Sequence, residues 1–141
     1  VLARHSGEIL HRNTWGDALY VVFSDVVSSA NTALELCDSF RQVNTGALGV
    51  RPGAAMRIAL HYGPTYSGVD PVTERPTYYG SEVARAARIE PVTPPGSVYV
   101  TEPFAAILAM QPQPDLGCEY VGQVELPKGY GVFPLYRLRR A

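Results

Sequence analysis

The chain reads as one α/β domain, a mixed sheet with covering helices, in the order β-β-α-β-(β)-α-β-α-β-β. Three observations predict it. Val26, Ala30, Ala33, Cys37 and Phe40 recur at alternating steps of four and three, the stripe of an amphipathic helix. Met56, Ile58, Leu60 and Tyr62 alternate with Arg57, Ala59 and His61, the period of a strand packed on one face. A length of 141 residues, 46% of them hydrophobic and 18% charged, suits a single buried core and excludes a disordered chain.

The elements follow in order. Val1 opens in what reads as the end of a helix stopped by Ser6-Gly7, so the chain is expected to be a fragment of something longer. Glu8–Asn13 and Ala18–Phe23 read as an antiparallel pair across a tight connection. The second is apolar on both faces, as a covered central strand would be. Ser24 or Asp25 caps the long helix. "TGALGVRPGA" is a loop. After the Met56–Tyr62 strand, Gly63-Pro64 breaks the run. "SGVDPVTERPTYYG" then suggests a protruding hairpin with Asp70-Pro71 at its tip. "SEVARAARIE" is an Ala-rich helix ended by Pro91. "PPGSVYVT" gives a turn and a strand. Thr101 caps a further helix with Pro103 in its first turn and Phe104, Ile107 and Leu108 inward. Glu119–Glu125 and Val132–Leu138 close the domain around "LPKGYG".

Composition excludes several functions. The net charge of -1 gives no electrostatic footprint for nucleic acid or an anionic membrane. No apolar run approaches the ~20 residues of a membrane span, and no signal-peptide pattern opens the chain. Cys37 and Cys118 lack metal spacing. Cys37 falls on the helical stripe, which reads as a reduced core thiol and a cytoplasmic setting. His5, His11 and His61 share no metal spacing either, and His11 and His61 read as satisfied scaffold residues within strands. There is no P-loop and no Gly-x-Ser-x-Gly elbow.

Two segments carry the chemistry. In "NTWGDALYVVF", Asp17 follows a Gly and precedes an apolar strand, as a turn residue or as a carboxylate held at a sheet end. About sixty residues on comes "YYGSEVARAARIEPVTPPGSVYVTE". With the closing "KGYGVFPLYRL", these segments resemble, in order, the catalytic domain of class III nucleotidyl cyclases, the adenylate and guanylate cyclase family. The resemblance runs from about Glu8 to the end. It implies a ferredoxin-like cyclase fold with a mixed, mainly antiparallel sheet, here without the family's first strand and following helices.

The resemblance also implies an activity: ATP or GTP is cyclised by attack of the ribose 3'-hydroxyl on the α-phosphate. Two metals, Mg²⁺ or Mn²⁺, held by two aspartates, assist in a homodimer whose sites lie between subunits. Asp17 matches the second metal aspartate, and the first has no counterpart in this chain. Asn13 and Thr77 stand where the family reads the purine with charged or thiol side chains. Arg88 matches the transition-state arginine, with Ala84 where the family's ribose-orienting Asn belongs. Lys128 stands in the closing hairpin, where the family places a phosphate-contacting base. Arg85 reads as structural, and Tyr78 and Tyr79 as packing or as purine-pocket wall. The alternative is a degenerate cyclase-like module that binds nucleotide or a partner and signals without turnover. The 141-residue chain is expected to be inactive by itself.

Overall fold

A computed structural model describes all residues from Val1 to Ala141. A 3-10 turn, Leu2–His5, precedes β1 (Ile9–Trp15) and β2 (Ala18–Phe23). Then come α1 (Val26–Gln42), β3 (Ile58–Leu60), β4 (Tyr66–Val69), β5 (Pro76–Tyr79) and α2 (Ser81–Ile89). The chain ends with β6 (Val98–Thr101), α3 (Glu102–Ala109), β7 (Leu116–Leu126) and β8 (Gly131–Arg140). The strands form a four-stranded sheet in the order β3-β6-β8-β7 and two separate hairpins, β1-β2 and β4-β5. Only β3 and β6 run parallel; every other pair is antiparallel. The mixed, mainly antiparallel α+β architecture expected from the sequence is the one observed.

Helices cover both faces of the large sheet. On one face α1 buries Val26, Ala30, Ala33 and Cys37 with Phe104, Ala105 and Leu108 of α3 against Val98, Val100 and Leu138. On the other, Ile89 of α2 packs on Leu126 and Leu135. Asp25 caps α1, its Oδ1 accepting from the Ser28 amide at 2.7 Å. The alternating stripe faces the sheet, so the helix is held by packing on a capped frame. Cys37 is buried, Cys118 half-buried, and both are free.

Three expectations are corrected. The strand over Met56–Tyr62 shortens to Ile58–Leu60, because its only partner, β6, offers Val98–Val100 in register and no more. The second hairpin strand is not a covered central strand: β2 pairs with β1 alone, and Leu19 is exposed. Its apolar residues lean on neighbours along one side, while its outer edge has no strand beside it. Thr101 occupies the N-cap position of α3 but makes no capping hydrogen bond; its hydroxyl is engaged by His61. The protruding hairpin is as expected, with Asp70 Oδ1 accepting from the amides of Val72 and Thr73 at 2.7 and 2.9 Å.

Candidate active site

Asp17 lies at the end of the β1-β2 hairpin, where Trp15 pairs with Ala18. The connection is therefore two residues, tighter than the four read from the sequence. Gly16 takes φ +62° and Asp17 does not take a positive φ. A left-handed residue followed by an ordinary one is the pattern of a two-residue type II′ turn, which wants Gly first. That accounts for Gly-Asp in place of Asp-Gly, and it leaves the carboxylate exposed at the tip.

The candidate purine readers share one contact region. Asn13 pairs with Tyr20 across the hairpin, and Thr77 precedes Tyr78 on β5. The Tyr20 hydroxyl donates to the Tyr78 carbonyl at 3.4 Å, so one bond joins the two strands that carry them. Burial pushes the Tyr20 phenol up, with a smaller push from Tyr78, which keeps it a neutral donor. Aromatic rings continue on both sides: Trp15 stacks on Tyr20 at 4.6 Å between centroids, and His11 lies 5.7 Å from Tyr20 and 5.9 Å from Tyr78. Asn13 Oδ1 accepts from the Thr14 amide at 2.8 Å, leaving its NH₂ group as the free end. The His11 ring is not the satisfied scaffold group expected, since its Nε2 is buried without a partner.

The candidate phosphate residues gather around α2 and the β7-β8 turn. Tyr130 donates its hydroxyl to the Ser81 carbonyl at 3.4 Å. Its ring lies under the Arg88 guanidinium at 6.0 Å. Lys128 stands exposed in the same turn with φ 60°. Neither Arg88 nor Lys128 enters an ion pair, and Arg88 Nε is buried without a partner. Arg85 Nε is likewise buried without a partner, but this guanidinium is paired: Nη1 lies 3.6 Å from Glu82, and the group 5.1 Å from the Phe133 ring. One bond thus joins the strands that carry Asn13 and Thr77, and the Tyr130 ring brings Arg88 to the turn that holds Lys128. Asp17, at the tip of the hairpin that also carries Asn13, makes no ion pair with either cation.

The family model for the adenylate and guanylate cyclase catalytic domain matches residues 5–139. The chain belongs to this family. The adenylate cyclase of Schizosaccharomyces pombe is 38% identical over 56 residues, 40% of this chain and 3% of that protein. The adenylate cyclase of Podospora anserina is 39% identical over 54 residues, 38% of this chain and 2% of that protein. The chain spans only a small fraction of these curated relatives. Among solved structures, an adenylate cyclase of Trypanosoma brucei in its monomeric state superimposes with TM-score 0.74 at 20% identity, over 97% of this chain and 73% of that one. The guanylate cyclase domain of RhGC from Catenaria anguillulae, in complex with GTP, gives 0.72 at 21% identity, over 99% and 75%. At these identities the likeness establishes the fold.

Against that family, the cyclase chemistry has a gap on the metal side. No group of three His, Cys, Asp or Glu side chains is placed to hold an ion. Mg²⁺ demands near-octahedral oxygen ligation, which one exposed carboxylate does not supply. The residues of this chain alone do not fit a two-metal site. The sequence reading did not find Tyr130 as the partner of Arg88; Tyr in a closing hairpin carries no signal of what helix it will meet.

Proposed function

We propose that this cyclase domain binds ATP or GTP with Arg88 and Lys128 on the phosphates and Asn13 and Thr77 at the purine edge. When complete, it closes the triphosphate to the cyclic nucleotide and pyrophosphate, as a homodimer in cytoplasmic signalling. The supporting observation is the state of Arg88. It is a cation with no carboxylate partner, braced on an aromatic ring beside the only lysine. An arginine so placed supplies preorganised positive charge where phosphate charge develops, at little reorganisation cost. In ring closure the 3'-hydroxyl loses its proton as its oxygen bonds the α-phosphorus, and the bond to pyrophosphate breaks. Arg88 stabilises the added negative charge on the phosphate oxygens. Mg²⁺ or Mn²⁺ would need Asp17 together with a second carboxylate at the place of the family's first metal aspartate, for which this chain has no counterpart.

Two observations favour the second reading, a module that binds nucleotide or a partner without turnover. Ala84 offers no group to orient the ribose, and Asp17 belongs to no cluster of three or more potential metal ligands. The enzyme reading and the nucleotide-binding form of the second both require triphosphate binding, so binding is tested first. Calorimetric titration with ATP and with GTP should give saturable binding, weakened in Arg88→Ala by about 1.5–3 kcal/mol for a lost charge-assisted bond, or roughly ten- to a hundredfold. Unchanged affinity in that variant rejects the phosphate role.

A further inference from the structure

His61 ends the β3 run and Glu82 lies 21 residues later in the first turn of α2, yet the two side chains meet. The His61 side chain is 3% exposed and that of Glu82 19%. His61 Nε2 contacts Glu82 Oε2 closely, and Nδ1 lies 2.7 Å from the Thr101 hydroxyl. A neutral ring carrying its proton on Nε2 satisfies both partners. The N–H donates to the carboxylate, and bare Nδ1 accepts from the hydroxyl. A Thr-His-Glu chain has the composition of a hydrolytic relay, but Thr101 is only 3% exposed, so no substrate reaches its oxygen.

Gly63 makes the remaining wall. A methyl group built there would stand 2.6 Å from Glu82 Oε2 and 2.9 Å from its Cγ. The carboxylate fits because residue 63 has no side chain. The helix it anchors needs an anchor: α2 has nine residues, and its N-cap, Gly80, provides no capping side chain. A helix that short is marginal without tertiary ties.

We infer that His61 and Gly63 form a seat for the Glu82 carboxylate, which fixes the first turn of α2 and so sets where Arg88 lies on the β7-β8 turn. His61 and Glu82 are positioning residues. The step to Arg88 rests on the nucleotide reading above; the seat does not.

Gly63→Ala is the sharpest probe. It alters neither partner and displaces a flexible side-chain end, not backbone. Glu82→Asp keeps the first-turn charge but is one methylene short of the ring. Amide exchange across Ser81–Ile89 should accelerate by about tenfold in both, with α1 and α3 unchanged. His61→Gln offers a donor and an acceptor and should keep protection; His61→Leu should lose it. ATP affinity of the same proteins should fall by about tenfold with the lost protection. Unchanged α2 exchange in both Gly63→Ala and Glu82→Asp overturns the seat, whatever His61→Leu does to folding. Faster α2 exchange with unchanged ATP affinity overturns the link to Arg88. Faster α2 exchange in a protein whose wild type binds no nucleotide upholds the seat and rejects the nucleotide reading.

Discussion

On the proposed reading, Asn13 and Thr77 decide which base this domain takes. Both are neutral and both can donate or accept. Asn13 already spends its carbonyl oxygen on the Thr14 amide, so its amide nitrogen faces outward. A neutral group that can turn does not reject a purine by charge. Competition between ATP and GTP with Mg²⁺ or Mn²⁺ should therefore show a preference below about a hundredfold, roughly 2.7 kcal/mol; a larger one contradicts these readers. The sequence offers Asn13, Thr77, Asp17, Arg88 and Lys128 as candidates through the order of three segments. It did not carry their surroundings. That Arg88 lacks a carboxylate while Arg85 has one depends on helix facing and on what β8 and the turn before it present, Phe133 to Arg85 and Tyr130 beside Arg88. His61 and Glu82 were unreadable as a pair for the same reason: no local spacing links a strand end to a helix start 21 residues on.

At the scale of elements, the helices and the hairpin pairings β1-β2, β4-β5 and β7-β8 were legible, and the partners of β3 and β6 in the large sheet were not. The α1 stripe and the Asp25 cap follow from period and local hydrogen bonding, which the sequence carries within one turn. Asp25→Ala should lower stability by about 1 kcal/mol, read as a shift in urea midpoint without a change in slope. Burial tends to raise the Asp25 carboxyl, but bonds from Ser28 and Ser24 outweigh it and hold it below the ordinary range. The β2 run read as a covered central strand because apolarity on both faces is common to covered strands and to strands awaiting a neighbour. The length of β3 was set by β6, a partner forty residues away. The seat at α2 adds a pH signature. Burial lowers the His61 imidazole below 6.5, partly offset by Glu82, and the His61 hydrogen bond lowers Glu82. Both groups are depressed in the fold, so their contribution is present above the unfolded values and lost as pH falls. Urea midpoints should drop from about pH 6.5 downward, less steeply in His61→Gln. A midpoint that rises on acidification in that window contradicts the neutral His61.

The whole molecule is a two-faced sheet with two hairpins attached to it. One hairpin ends in Asp17; the sheet carries α2, and with it Arg88, on the face opposite α1 and α3. Asp17 makes no ion pair with Arg88 or Lys128 within one chain. The proposed homodimer, with sites between subunits, rests on the family resemblance. The central claim, that this chain is a cyclase domain with its binding side present and its metal side incomplete, is met most directly by one assay. The purified 141-residue chain is incubated with ATP or GTP and Mn²⁺, and cyclic product is read by mass. The account predicts none, in wild type and in Asp17→Ala alike. Cyclic product from the wild type that disappears in Asp17→Ala would contradict it, showing a working metal site built from residues other than those named.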